Sequence, residues 1–118
     1  MKGNFREFKV YRDAKDLVIK VFQLTRKFPK EFYYLSDQIN RSALSVVLNI
    51  AEGSAKGSDK DFNRYIKNSL GSATELSSAL EITEDLKLID EKEYSLLDTQ
   101  IQEIIKQLGG FSKYLLRR

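Results

Sequence analysis

The stretch "LNIAEGSAKGSDKDF", from Leu48 to Phe62, gathers small polar residues, two glycines and three carboxylates directly after an apolar run. Such a composition suits a phosphate cradle, a catalytic loop or a corner between helices. A phosphate loop of the Walker type needs G-x-x-x-x-G-K-[ST] after a strand. Here Gly57 is followed by Ser58 rather than lysine, and the preceding segment has helical period. The corner reading fits residue by residue. Gly53 is expected to take the left-handed conformation that ends a helix. Ser58 is a good N-cap, and Asp59 and Asp61 would face the positive end of the next helix dipole.

A second set of polar residues lies on either side of this corner. Gln38, Arg41, Ser45, Asn49 and Glu52 form a narrow stripe on an otherwise apolar segment, and Glu75 is placed to join it. Arg41 is the one charge between Gln38 and Ala51. A buried charge needs a partner, so Arg41 is expected to be buried against Glu75 or Glu52. The stripe reads as a structural set that fixes helix register or a subunit contact, with a ligand contact as the alternative. Catalysis has little to work with. The chain has no histidine and no cysteine, which removes the commonest base, the commonest metal ligands and the nucleophilic triads. No catalytic, cofactor or metal residue is assigned, and the expected protein is not an enzyme.

Charge gives a different lead. The formal net charge is only +3, but residues 1–30 hold nine Lys/Arg against Glu7, Asp13 and Asp16. Arg12, Lys15 and Arg26 line up on one side of the first helix. With Lys113, Arg117 and Arg118 at the other end of the chain, they are the candidate phosphate contacts. Phe28, Phe32, Tyr33 and Tyr34 surround the single proline, Pro29. That cluster reads as a core plug, with base stacking as the alternative. Residues 61–90 are acidic. No base-reading motif is present, so binding to RNA or DNA would carry little sequence preference.

Four segments with helical period must position these residues. The first spans about 10–27, with Val10, Ala14, Leu17, Val18, Val21, Leu24 and Phe28 on one face. Pro29 ends it. The second spans about 36–51. Leu35, Ile39, Ala43, Val46, Val47 and Ile50 fill one arc, which Leu44, Leu48 and Ala51 extend. That is more apolar surface than one bundle covers, and it suggests another subunit. The third spans about 59–87, with Phe62, Ile66, Ser69, Ala73, Leu76, Leu80 and Thr83 in register. Its centre, "SLGSATELSSA", is built of small residues, and a close helix contact is one reason to keep Gly71 there. The fourth spans about 91–116, carries a seam of Tyr94, Leu97, Ile101, Ile104, Leu108, Phe111 and Leu115, and is capped by Asp90 with Glu93. Short links between the four imply an all-α, antiparallel up-down-up-down four-helix bundle over residues 1–118 as a single domain. No apolar run approaches the ~18–20 residues needed to cross a bilayer, and the N-terminus lacks a signal-peptide pattern. A cytoplasmic protein with no membrane partner is expected.

The ordered combination of Thr25, Phe28-Pro29, Leu35, Gln38, Arg41, "NIAEG" at 49–53, Phe62, Gly71-Ser72 and Glu75 resembles the bacterial four-helix-bundle family named for proteins encoded in intervening sequences of 23S ribosomal RNA. "FKVYRDA" resembles its opening segment, with Tyr11 in place of a frequent tryptophan. Asn40 stands where a basic residue is common. The resemblance implies a homo-oligomer, with a five-membered ring known in the family. It implies no established enzymatic activity, and nucleic-acid binding as the usual suggestion. A related branch serves diversity-generating retroelements by binding a reverse transcriptase and nucleic acid. The expected protein is therefore a non-enzymatic oligomer, a pentamer by resemblance, that binds RNA or DNA through its basic surface. The alternative is a protein-interaction scaffold, an accessory factor for a nucleic-acid enzyme such as a reverse transcriptase.

Overall fold

Each of four amphipathic segments closes into a helix, and each helix packs against its two neighbours in chain order, the last returning to the first. The computed structural model describes residues 4–117. Its helices are α1 (Lys9–Thr25), α2 (Tyr33–Ser54), α3 (Asp59–Asp85) and α4 (Glu91–Arg117). The up-down-up-down bundle measures 46 × 22 × 20 Å. The described residues contain no strand, and no helix among them is long and apolar enough to cross a membrane.

The core follows the apolar stripes. Val10, Ala14, Leu17, Val18, Val21 and Leu24 of α1 are buried, as are Ile39, Ala43, Val46, Val47 and Ile50 of α2. On α3 the whole expected row from Phe62 to Thr83 is buried. On α4, Leu97, Ile101, Ile104, Leu108 and Leu115 are buried, while Tyr94 and Phe111 pack at the margin. A short 3-10 turn, Phe5–Glu7, brings Phe8 to the start of α1. There Phe8, Phe62 and Phe111 plug one end of the bundle, with ring centroids 5.2–6.3 Å apart. This contact joins the start of α1, the start of α3 and the end of α4.

Helix ends follow local chemistry. Ser58 accepts a hydrogen bond from the Asp61 N–H at 3.1 Å, and Asp90 accepts one from the Glu93 N–H at 2.7 Å. Both are N-caps, and each satisfies a backbone donor that the first turn leaves open. Helix α1 stops at Thr25, ahead of the expected end, and a 3-10 turn over Lys30–Phe32 leads into α2.

Two expectations, on Gly53 and Arg41, are corrected. Gly53 does not end its helix in a left-handed conformation, because α2 continues through it to Ser54. Its role is steric instead: a Cβ there would lie 2.7 Å from Tyr65 Cβ and 3.0 Å from Phe62 Cδ1. The left-handed residue is Lys87, with φ 64. Its N–H bonds to the Glu84 carbonyl and the Leu88 N–H to the Thr83 carbonyl, the Schellman pattern that closes a helix. Gly71 has no close neighbour within the chain: a Cβ there would meet nothing within 4 Å, because Gly71 lies on the open face of α3. Arg41, expected to be buried, is exposed.

Candidate nucleic-acid interface

The antiparallel order decides which cations meet. Helix α1 begins where α4 ends, so Arg12 and Lys15 share one end of the bundle with Lys113 and Arg117, and all four side chains are exposed. The Arg12 guanidinium also donates to the Glu7 carbonyl, which steadies it against the turn before α1. Arg26 is separated from this group. It sits at the far end of α1, about 21 Å along the axis from Arg12 at 1.5 Å per residue. Arg118 lies outside the described residues.

The same end carries cations that helix-one patterning did not single out. Lys56, Lys60, Arg64 and Lys67 come from the α2–α3 corner and the start of α3. Lys56 and Arg64 lie 5.0 and 5.2 Å from the centroid of the Tyr65 ring, each within cation–π range. The antiparallel order was the signal that joins them to Arg12, because the second corner must lie beside the start of α1. The α3–α4 corner has the opposite character. Residues 71–102 carry Glu75, Glu81, Glu84, Asp85, Asp90, Glu91, Glu93 and Asp98 against Lys87 and Lys92. Burial, and then the charges of Asp98, Glu81, Glu84 and Asp85, push the Tyr94 phenol above its ordinary range.

Part of the polar stripe becomes a seam between α2 and α3. The Ser42 hydroxyl donates to Glu75, and the Ser45 and Ser72 hydroxyls share a hydrogen bond of 2.8 Å. Asn49 Nδ2 donates to the Ser45 carbonyl at 2.8 Å and lies 3.0 Å from the Ser45 hydroxyl. Ser69, fully buried, donates to the Val46 carbonyl at 2.8 Å. Gln38 is half-buried and Glu52 exposed.

Arg41 departs from expectation. It is exposed, and its ion pair, 2.9 Å long, is with Asp37 one turn earlier on the same helix. Neither Glu75 nor Glu52 is its partner. At 100° per residue Arg41, Leu44 and Leu48 fall within an arc of about 60°, and the bundle covers a different arc of α2. Leu44 and Leu48 are accordingly 40% and 54% exposed. With Ser45, Asn49 and Glu52 they and Arg41 line an open recess of about 440 Å³.

The α1–α4 seam has its own polar rim. Asp13 accepts from Lys9 at 2.6 Å and from Gln107 at 2.8 Å. Asp16 accepts from Gln100 at 2.9 Å and pairs with Lys20 at 3.1 Å. Burial alone would raise Asp13, but the hydrogen bonds from Lys9 and Gln107 outweigh it and hold the carboxyl below its usual range. Asp16 is likewise lowered, by Lys20 first and then Gln100. Among the described residues no group of three or more acidic side chains is gathered to hold a metal ion.

These elements define an antiparallel all-α bundle with one cation-rich end, one acidic corner and an open, partly apolar face on α2. The chain belongs to the 23S rRNA-intervening sequence protein family, whose model matches residues 6–110. Its fold is similar to that of a crystal structure of a protein of unknown function from the S23 ribosomal protein family of Bacteroides thetaiotaomicron. The TM-score is 0.80 at 24% identity, over 88% of this chain and 98% of that one. No curated protein matches.

Proposed function

We propose that this protein is a non-enzymatic, cytoplasmic homo-oligomer that binds RNA or DNA through its cation-rich surface, with little sequence preference. The observation that carries this reading is the segregation of charge: cations from α1, α3 and α4 gather at one end, while carboxylates gather at the α3–α4 corner. A polyanion is attracted to the first and repelled by the second, so the electrostatics orient it. Arg12, Lys15, Lys113 and Arg117 form one candidate phosphate group, Arg26 belongs to a separate one, and Arg118 is a candidate by its place in the sequence next to Arg117.

Assembly multiplies the effect, because several copies present several basic ends to one strand. The exposed Leu44 and Leu48 support a subunit contact on α2. Covering such a side chain stabilises a complex by up to about 1.5–3 kcal/mol. A pentamer is the size that family resemblance favours. Light scattering at micromolar concentration tests this part, and a monomer would contradict it.

The open α2 face also supports a second reading, a scaffold for a protein partner such as a reverse transcriptase, with the nucleic acid held by that partner. Pull-down from native cells with and without nuclease separates the two. RNA enriched without a protein partner supports direct binding. A protein partner that survives nuclease supports the scaffold.

A further inference from the structure

The recess at the α1–α2 corner differs from the other recesses of the bundle. It has a volume of about 310 Å³ and is lined by Phe22, Phe28 and Tyr33, by Arg26 and Lys30, and by the polar side chains of Thr25, Ser36 and Asn40. No carboxylate lines it. The α1–α4 groove also has lysines on its lip, but Glu93 lies among them and Lys20 is already paired with Asp16. The α2 recess holds Glu52 and no aromatic ring.

The corner brings aromatic, polar and cationic side chains together. Pro29, with φ −58 and ψ 150, cannot continue a helix and turns the chain between α1 and α2. Phe28 packs against the core. Tyr33 is 73% exposed while lining the recess, so the residue is accessible to a ligand there. The Thr25 hydroxyl donates to Asn40 Oδ1 at 2.8 Å. In that arrangement the Asn40 amide keeps its N–H donors for another acceptor. Arg26 and Lys30 are both exposed, and neither is paired with a carboxylate among the described residues. The volume lies at the small end of the ~300–1,000 Å³ range of ligand sites, a size that suits a single base rather than a duplex.

We infer that this corner is a single-strand subsite, taking one unstacked base against Tyr33 in the recess and the adjoining phosphate on Arg26 and Lys30. The inference rests on the nucleic-acid reading above and narrows it. Stacking on an aromatic face is available only to a base that has left its duplex, and it tolerates any base. Asn40 supplies donors for a carbonyl or ring nitrogen on the base edge. The corner would therefore favour single strands, whereas the end that carries Arg12 and Lys15 attracts any polyanion.

The test is fluorescence anisotropy with a labelled ten-nucleotide RNA and a labelled DNA duplex over a series of salt concentrations. Tyr33→Ala is expected to bind the single strand about tenfold more weakly, with an unchanged salt slope and unchanged duplex binding. Tyr33→Phe keeps the ring and is expected to bind as the parent does. Arg26→Gln combined with Lys30→Gln is expected to flatten the single-strand plot of log K against log salt by about 0.7, the value for one phosphate. Equal single-strand affinity for Tyr33→Ala and the parent would overturn the subsite while leaving the electrostatic reading intact. A Tyr33→Ala protein that falls apart in light scattering would place the ring in a subunit contact and also overturn it. Displacement of the strand by free adenosine monophosphate as readily as by unlabelled strand would reassign the recess to a mononucleotide. No binding of either probe by the parent at low salt would remove the subsite and the nucleic-acid reading together.

Discussion

Along the α2–α3 seam, Gly53, Ser69 and Ala73 bring two helices close, and hydroxyls bridge the line where α2 faces α3. Along the α1–α4 seam, leucine, valine and isoleucine fill the floor, and a rim of Asp13, Asp16, Lys20, Gln100 and Gln107 closes it from outside. The first seam depends on shape and has little tolerance for added volume. The second depends on apolar burial, and its polar rim is solvated and worth little by itself. The difference teaches that small residues in this bundle have two separate uses. Gly53 permits contact within the chain, whereas Gly71 lies where only another molecule can approach.

The strongest way to break the comparison is at Gly53. Gly53→Leu places a side chain where Tyr65 Cβ and Phe62 already sit, and it should destabilise the chain by about 3 kcal/mol. Denaturant unfolding would read this as a lower midpoint at constant slope. Ser69→Ala comes next. It removes the buried bond to the Val46 carbonyl and should cost about 1 kcal/mol by the same measurement. Gly71→Ala should act in the opposite direction. Its site is open and helical, so the added methyl should stabilise the isolated chain by about 0.5–1 kcal/mol. The larger Gly71→Leu should leave the isolated fold intact and weaken assembly, read by light scattering at falling concentration.

The smallest effect belongs to the α1–α4 rim and depends on pH. Asp13 and Asp16 are both held below the ordinary carboxylate range in the folded chain. The unfolded chain therefore takes up their protons first as pH falls. Their stabilisation is fully present above the unfolded value of about 3.9 and fades as pH drops through the folded values. Both side chains are partly exposed, so the contribution is on the order of a few tenths of a kcal/mol. Melting of the parent and Asp13→Asn should differ slightly at pH 7, and the gap should narrow steadily as pH falls below the ordinary carboxylate range. A gap that did not change with pH would assign Asp13 a packing role instead.

Much of this was legible in the chain itself. The buried rows of α1, α3 and α4 follow from helical period, and Ser58 and Asp90 cap where their chemistry suggests. Helix α2 was the hard case. Its apolar residues cover most of its circumference, so period alone cannot say which arc the bundle takes. That ambiguity misplaced Arg41, which was expected among buried residues and instead shares the open arc with Leu44 and Leu48. Gly53 was misread for a related reason: a glycine near a helix end serves equally as a left-handed terminator or as a gap for a neighbouring side chain, and only the position of Tyr65 decides. Lys87 gave no warning, since a lysine rarely takes a left-handed turn. Asn63, buried and accepting from Ser112 at 2.5 Å, lies beside the apolar row rather than in it. For the basic candidates, helical period gives the face of each residue. The chain order then separates Arg26 from Arg12 and Lys15.

Binding to nucleic acid by the cation-rich end is tested most directly by a salt titration that compares the parent with the Arg12→Glu, Lys15→Glu double variant, after both are shown to assemble alike. Labelled single-stranded RNA and duplex DNA serve as probes. The parent is expected to bind both, with log K falling linearly against log salt. The variant should bind both more weakly, with a slope flatter by about 0.7–0.9 for each phosphate no longer neutralised. Equal affinity and equal slope for the two proteins, or no binding by the parent at low salt, would contradict it.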